Sequence, residues 1–442
     1  MAGLIQFFHN ASIVKMAFLA VVVGIGGGIG AVVFHFLIGG FTVLFFGTAS
    51  SENFLGQVVS LPWYWRVFIP ALGGLLVGLI LAHKKVGEAH GDGVPEVMEA
   101  VALKRGKVSP LVAPIKALVS AISIGSGGAG GREGPIIQIG SAIGSSLGQL
   151  LKLDSRKTKL LLAAGAAAGI GGTFNAPLAG IIFAWEILLR KMSMASFIVL
   201  AIASGVGTVF ANYIVGFSGP LFNLPAVELT SYWEILLFAG LGVTAAGIAL
   251  VFTNSLYAIE GIFEKLRVSN IVKPALGGLL VGILALALPQ VHEPAAYPFM
   301  TDVFNASIPL LFVAVLIFAK IVATSLTLGS GGSGGIFAPS LFVGAMLGTV
   351  YAGIIAFVFP GSMSTASAYA TVGMGAVFAG ATHAPITAII ILLEITQSPS
   401  MALPLVVACL ISAYVARKLQ RKSIYTGELV KDGIDIEARH LP

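Results

Sequence analysis

The stretch GSGGAGGREGPIIQIGSAIG at residues 125–144 returns as GSGGSGGIFAPSLFVGAMLG at residues 329–348. The shared pattern G-S-G-G-x-G-G-x-x-x-P-x-x-x-x-G-x-x-x-G holds without a gap. A second pair follows in the same order, NAPLAGIIFAWEI at 175–187 and HAPITAIIILLEI at 383–395. Two matching blocks in one order predict two homologous halves, at about 12–216 and about 231–416.

The composition predicts a protein that crosses a membrane several times. Hydrophobic residues make up 57% of the 442 positions and charged residues 10%, whereas soluble domains carry roughly 25% charged residues. Backbone polar groups must be paired inside a bilayer, and the alternating pattern of a β-barrel is absent. We therefore expect an all-α polytopic membrane protein, with apolar stretches at 16–46, 68–82, 196–216, 234–253, 274–289, 308–326 and 402–416.

The two halves are expected to have inverted topology. The first half continues after Ile187 with the cationic segment LLRKMS, and the second continues after Ile395 with the cation-free segment TQSPS. By the positive-inside rule, the corresponding helices end on opposite faces of the membrane. The cation-poor stretches 48–62, 217–232 and 286–300 are then external. In transporters with inverted repeats, broken helices meet at a site near the midplane.

Three glycine-rich turns lead into proline-containing helix starts, in GDGVPEVMEAV (91–101), GREGPIIQIG (131–140) and GIFAPSLFVG (335–344). Helix N-termini present unpaired amides and the positive end of the helix dipole, so they favour a small anion. The single cysteine, Cys409, excludes an internal disulfide and a cysteine metal site. We expect no metal and no cofactor. We also expect no nucleic-acid partner, because the cations behind the net charge of +6 collect at membrane edges.

The chain resembles the CLC family of chloride channels and chloride/proton exchangers over nearly its whole length. GREGP (131–135) matches the gating-glutamate motif of that family, and GIFAP (335–339) matches its second anion-site motif. GDGVP (91–95) and SIYTG (423–427) stand where the family has its first anion motif and its pore-lining tyrosine. The resemblance implies a homodimer in lipid, with one chloride and proton pathway per subunit and no enzyme activity.

The resemblance also implies roles for individual residues. Glu133 would be the external gate, a carboxylate that occupies the outer anion site until it is protonated. Arg132 and Lys116 would add positive potential along the path. The implied anion-binding residues are Asp92, Gly93, Gly134, Ile336, Phe337, Ala338 and Tyr425.

Two departures from the family pattern leave questions open. Asp92 replaces a serine of the first motif; it could cap its own helix, be protonated, or turn away from the site, and anion selectivity is open with it. Ile187 stands where exchangers typically carry a glutamate for proton entry. Glu186 could serve that role, but Glu394 occupies the same repeat position, which favours a shared structural role. Antiport is the favoured prediction, and an uncoupled channel is the alternative.

A remote alternative from another class is an intramembrane serine hydrolase, with Ser333 as nucleophile and His383 as base. Such chemistry requires the two side chains within hydrogen-bond reach. For the chain as a whole we expect one transmembrane domain in a prokaryotic inner membrane, with the cationic tail 417–442 on the cytoplasmic side. Many relatives continue after this point into CBS domains, which we expect to be absent from this chain.

Overall fold

The computed structural model describes residues 13–48, 53–83, 91–191, 193–216, 231, 233–304, 308–359, 364–431 and 433–435. Within these ranges the chain is helical, and its β-type pairing is confined to isolated bridges. The helices of the first half are α1 Ile13–Phe46, α2 Phe54–Ser60, α3 Trp63–Leu81, α4 Val94–Ala102, α5 Val112–Gly125, α6 Glu133–Leu150, α7 Ser155–Phe174, α8 Pro177–Phe183 and α9 Met194–Val215. A π-helical segment, Ala184–Leu189, extends α8.

The second half repeats this order, except that α2 has no counterpart among its described residues. Its helices are α10 Glu234–Lys265, α11 Lys273–Ala287, α12 Glu293–Phe304, α13 Leu310–Gly329, α14 Phe337–Val358, α15 Ala366–Thr382, α16 Pro385–Thr396 and α17 Ala402–Leu419, and the short α18 Thr426–Lys431 follows. In the described ranges, seven helices are long and apolar enough to cross a membrane, and four apolar helices are shorter. The prediction of a polytopic α-helical membrane protein is confirmed.

Small residues let equivalent helices of the two halves approach closely. A Cβ on Gly74 of α3 would overlap the carbonyl of Pro274 in α11, and a Cβ on Gly278 would overlap the carbonyl of Pro70. The positions 70 and 74 are the repeat partners of 274 and 278, so the contact is reciprocal. Such close approach of small residues is how helices gain packing contacts in lipid.

The structure adds detail to two sequence expectations. The stretch 286–300, which is expected to be external, contains the start of α12, where Glu293 and Ala296 are fully buried. Its lack of cations reflects burial against the core as well as its side of the membrane. The helix α14 is also long enough to span, although it was not among the predicted apolar stretches. Residues 217–230 and 232 lie outside the described part of the chain.

The packing of α6 on α7 predicts a strong effect of one methyl group. A Cβ on Gly165 would overlap the Gly140 carbonyl, so we expect Gly165→Ala to lower the free energy of unfolding by about 1–3 kcal/mol through overpacking. The matched control is Gly205→Ala in α9, where a Cβ would meet nothing within 4 Å. Thermal unfolding in detergent measures both variants. Equal unfolding midpoints for the two would contradict the packing argument.

Candidate functional site

The two glycine-rich breaks meet in the structure, as the repeat predicts. The Gly131 N–H donates to the Gly335 carbonyl, and the Gly335 N–H donates to the Gly131 carbonyl, both at 2.6 Å. Gly91, in the third glycine-rich turn GDGVP, forms a bridge with Ser333 of the second break. A Cβ on Gly130 would lie only 3.0 Å from the Cα of Gly334, so side chains at this crossing would push the halves apart. The starts of α4, α6 and α14 are thereby brought to one point.

Glu133 is the first residue of α6, and its carboxylate contacts the opposite half of the chain. Its Oε2 accepts a hydrogen bond from the Ala338 N–H at 3.3 Å, and its Oε1 accepts one from the Tyr297 hydroxyl at 2.7 Å. Only 2% of the residue is exposed. The amide belongs to the first turn of α14, where intrahelical partners are missing. Glu133 therefore supplies the negative charge that this helix start favours.

Asp92 makes a similar contact beside it. Its Oδ1 accepts from the Val94 N–H at 3.1 Å, and its Oδ2 accepts from the Ile336 N–H at 2.8 Å. The sequence left three possibilities open for Asp92. The structure shows the cap of its own helix, and it contradicts the possibility that the side chain turns away from the site. The sequence did not indicate the second bond, which reaches across 244 positions to the other half. The amides of Ile336 and Ala338, on either side of Phe337 at the start of α14, thus bind the two carboxylates.

Backbone conformation explains two of the predicted glycines. Gly93 has φ of 103°, in the left-handed region, and a Cβ there would lie 2.9 Å from the carbonyl oxygen of Gly134. A Cβ on Gly134 would in turn lie 2.9 Å from Oδ1 of Asp92. The two glycines therefore let the starts of α4 and α6 pack directly against each other. The Phe337 ring packs edge-on against Phe378, with ring centroids 4.7 Å apart.

The two cations expected near the path have partners. Lys116 is fully buried, and its Nζ donates to the Gly91 carbonyl at 2.7 Å, next to Asp92. Arg132 forms an ion pair with Glu293, Nε to Oε1 3.3 Å, and its guanidinium carbon lies 5.2 Å from the centre of the Tyr297 ring. Glu293 therefore offsets much of the Arg132 charge, which reduces the positive potential expected from that residue.

Sequence reasoning missed three residues beside this site, Tyr297, Glu293 and Lys320. Lys320 follows Lys116 by the same 204-residue offset as the glycine-rich blocks, and it stands alone in an apolar run. It is fully buried, and its Nζ donates to the Val291 carbonyl at 2.7 Å. The repeat offset could have identified Lys320. No comparable signal marks Tyr297 or Glu293, because the sequence of α12 differs from that of α4, the helix with the same place in the order of the first half.

Glu186 and Glu394 have equivalent contacts. Glu186 accepts from the N–H groups of Ile386 and Thr387 at the start of α16, at 3.1 and 2.7 Å, and from the Thr387 hydroxyl. Glu394 accepts from the Leu178 and Ala179 N–H groups at the start of α8, at 2.9 and 2.6 Å. Each glutamate thus caps a helix of the opposite half. The symmetry favours the shared structural role over proton transfer by Glu186.

Two cavities on the cation-rich side approach the site, and they differ in charge. One, of about 600 Å³, is lined by Asp92, Glu260 and Glu428 and also by Lys273. Glu428 lies beyond the last spanning helix; burial raises its pKa well above the usual range, and the nearby carboxylates of Glu96 and Asp92 act in the same direction. We call the cavity lined by Asp92, Glu260 and Glu428 the acidic cavity.

The other cavity, of about 520 Å³, is lined by Arg190, Arg417 and Arg421 together with Glu186. The pore candidate Tyr425 lies in this lining and is 3% exposed. Ile187 borders the same space but is 6% exposed and belongs to the hydrophobic core.

The contacts of Ser333 argue against hydrolase chemistry. Its Oγ lies 2.8 Å from Oγ of Ser120 in a fully buried position. His383 ends α15 in a left-handed conformation and lines the cavity with Arg417. The proposed base therefore lies in another part of the site region, and Ser333 is paired with a hydroxyl that cannot act as a general base near neutral pH.

Comparison with known proteins finds relatives over most of the chain. Residues 73–417 match the family model described as voltage gated chloride channel. The voltage-gated ClC-type chloride channel ClcB of Escherichia coli is 31% identical over 365 residues, 82% of this chain and 86% of that protein. The H+/Cl− exchange transporter ClcA of Yersinia pestis is 32% identical over 365 residues, 80% of this chain and 76% of that protein. A crystal structure of a slow cyanobacterial Cl−/H+ antiporter superposes with a TM-score of 0.84 at 27% identity, over 94% of this chain and 97% of that chain.

The paired helix caps predict similar effects at two distant residues. Glu186→Ala and Glu394→Ala each leave two helix-start amides without a partner, so we expect each to lower the free energy of unfolding by about 1–3 kcal/mol. The control is Glu99→Ala, which removes only the partly exposed ion pair with Lys104. Thermal unfolding in detergent compares the three. A loss in one cap variant alone would show that the two glutamates are not equivalent.

Proposed function

Because the chain belongs to the CLC family of chloride channels and chloride/proton exchangers, we propose that it exchanges chloride for protons, with Glu133 as the gate. Membership makes the chain an integral multi-pass membrane protein of an anion-transport family, which is not a family of enzymes. The observation that carries the finer proposal is the Glu133 carboxylate on the Ala338 amide. A carboxylate in this position competes with a free anion for the same N–H group.

Protonation provides the coupling in this proposal. A neutral carboxyl group is a much weaker acceptor for a helix-start amide than a carboxylate, since the charge-assisted hydrogen bond is lost. When a proton binds to Glu133, the side chain can leave the amide and a chloride ion can occupy it. When the chloride leaves, the proton departs to the other side and the carboxylate returns. One amide site thus alternates between chloride and the ionised side chain.

An uncoupled anion channel is the second candidate, and one observation favours it. Ile187 is apolar and packed in the core at the position where exchangers typically carry a proton-accepting glutamate. The carboxylate beside it, Glu186, already accepts hydrogen bonds from α16. Coupled exchange therefore requires protons to reach Glu133 by groups other than these two. Selectivity for an anion other than chloride is a further possibility, since Asp92 replaces the family's serine.

The assembly and location follow from the family and the charge distribution. We propose a homodimer with one pathway per subunit, in the inner membrane of a prokaryote. The cations Arg417, Lys418, Arg421 and Lys422 put the C-terminal tail on the cytoplasmic side by the positive-inside rule. We further propose that residues 1–442 form a single transmembrane domain, with the repeats at about 12–216 and 231–416.

The proposal predicts that Glu133→Ala separates the two fluxes. In liposomes loaded with chloride, we expect the wild-type protein to take up protons against their gradient as chloride leaves. We expect Glu133→Ala to lose the proton movement and to keep the chloride efflux, because the site has lost its competing carboxylate. A chloride electrode and a pH electrode record both fluxes at once.

The matched control is Glu186→Gln, which retains an acceptor oxygen for α16 and should keep proton coupling. Proton coupling that persists in Glu133→Ala would exclude Glu133 as the gate. Chloride efflux without proton movement in the wild-type protein would identify the uncoupled channel. Absence of chloride efflux from both proteins would contradict chloride transport itself.

A further inference from the structure

Asp92 contacts the start of α14 in the same way as Glu133 does. Both carboxylates come from the first half of the chain, and both accept hydrogen bonds from amides of the second half, at Ile336 and Ala338. Both residues are almost fully buried, with 6% and 2% exposed. An anion that binds the Ile336 N–H must therefore displace Asp92, just as an anion at Ala338 must displace Glu133.

A helix cap alone does not explain this arrangement. The cap needs one carboxylate oxygen, and Oδ1 supplies it to the Val94 N–H. The other oxygen, Oδ2, is held by the opposite repeat at the shorter distance of 2.8 Å. A serine in this position has one hydroxyl and can donate to an anion, whereas an ionised aspartate only accepts hydrogen bonds. Asp92 therefore replaces a group that binds anions with a group that excludes them.

Asp92 also borders the acidic cavity, so water can bring protons to it. The cavity is lined by Tyr257, Glu260, Glu428 and Lys273, and it lies on the side that the positive-inside rule makes cytoplasmic. Lys431 pairs with Glu260 at 2.9 Å and neutralises part of the acidic charge, but carboxyl groups still outnumber the single lysine of the lining. Carboxyl groups in contact with water can take up and release protons. This cavity is suited to delivering protons to the inner end of the pathway.

Further carboxylates continue from the cavity toward Asp92. A Cβ built on Gly91 would lie 3.2 Å from Oε1 of Glu428 and 3.4 Å from Oε1 of Glu96, so both carboxylates flank the residue before Asp92. Oε2 of Glu96 is buried without a hydrogen-bond partner in the described part of the chain. The titratable groups that face Asp92 from the surrounding helices and the tail are Glu96, Lys116, Tyr257, Tyr425 and Glu428.

We propose that Asp92 is a second, inner gate, which must take up a proton from the acidic cavity before an anion can bind at the Ile336 amide. The proton converts the carboxylate to a neutral carboxyl group, and the side chain leaves the Ile336 N–H. The chloride ion then accepts that hydrogen bond, so one proton and one chloride enter the site together. On return, chloride leaves, the proton goes back to the cavity and the carboxylate rebinds. The inference rests on the proposed anion pathway and adds to it a proton requirement on the inner side.

The test uses the pH dependence of chloride binding with the outer gate removed. In Glu133→Gln, any remaining link between protons and chloride must come from another group. If that group is Asp92, the dissociation constant of chloride rises about tenfold per pH unit while Asp92 is ionised, because one proton is taken up per anion. In Glu133→Gln/Asp92→Asn, we expect tighter binding and no such slope. Calorimetric titration of the purified full chain with sodium chloride, at about pH 7 to 9, measures the constants.

Two further variants provide the control and a safeguard. Glu133→Gln/Glu264→Gln removes a carboxylate of the acidic cavity that pairs with Lys431 at 3.8 Å, and it should keep the slope. Glu133→Gln/Asp92→Ser tests the same loss of charge if the asparagine variant does not fold. A slope that persists in both Asp92 variants, or chloride binding to Glu133→Gln that is independent of pH, overturns the inner gate.

The two proposals fail in different ways. If chloride binds Glu133→Gln with no pH dependence, the inner gate is wrong and the anion pathway stands. If chloride binds none of the variants at any pH, the anion pathway itself is wrong, and the inner gate falls with it. Binding that appears only when Asp92 is replaced supports the inner gate, since the ionised carboxylate then blocks the amide completely.

Discussion

Backbone amides at the starts of broken helices determine how the two halves of this protein fit together. Each start exposes N–H groups that have no partner within the helix, and in a membrane no bulk water is available to satisfy them. The chain supplies carboxylates from the opposite half, as Glu186 does for α16 and Glu394 does for α8. The same interaction holds Glu133 and Asp92 at the start of α14. In the caps the carboxylate stabilises the fold; at the crossing of the breaks, in the mechanism that we propose, it occupies the place of an anion.

Buried lysines complete this arrangement near the crossing. Lys116 and Lys320 are repeat partners, and each donates to the carbonyl of a residue close to the start of a helix, α4 or α12. A buried ammonium group is costly unless it is hydrogen-bonded and near opposite charge. Carboxylates lie near both lysines, so the cations and the carboxylates make each other's burial tolerable. Removing one of these charges would therefore raise the energetic cost of burying the charges that remain.

The repeat explains why much of the fold was predictable from residues alone. The offset between the glycine-rich blocks identified the two halves, and the cations that follow Ile187 indicated that the halves are inverted. The family motifs in turn identified Glu133, Ile336, Phe337 and Ala338 as neighbours, which the structure brings together. The helix α12 was missed because its sequence differs from that of α4, the helix with the same place in the first half. Tyr297 was missed with it, and so was the Glu293 carboxylate that pairs with Arg132.

The sequence by itself determined the class of the protein, the two inverted halves and the glycine-rich breaks where they meet. These follow from local properties: hydrophobicity, the position of cations, and the backbone freedom of glycine. Only the tertiary structure decided which amide each carboxylate contacts. Asp92 could have capped its own helix alone, and it also binds Ile336, 244 positions away. Glu186 could have faced a proton path, and it caps α16. A carboxylate accepts a hydrogen bond from any exposed amide within reach, so its partner depends on how distant segments pack.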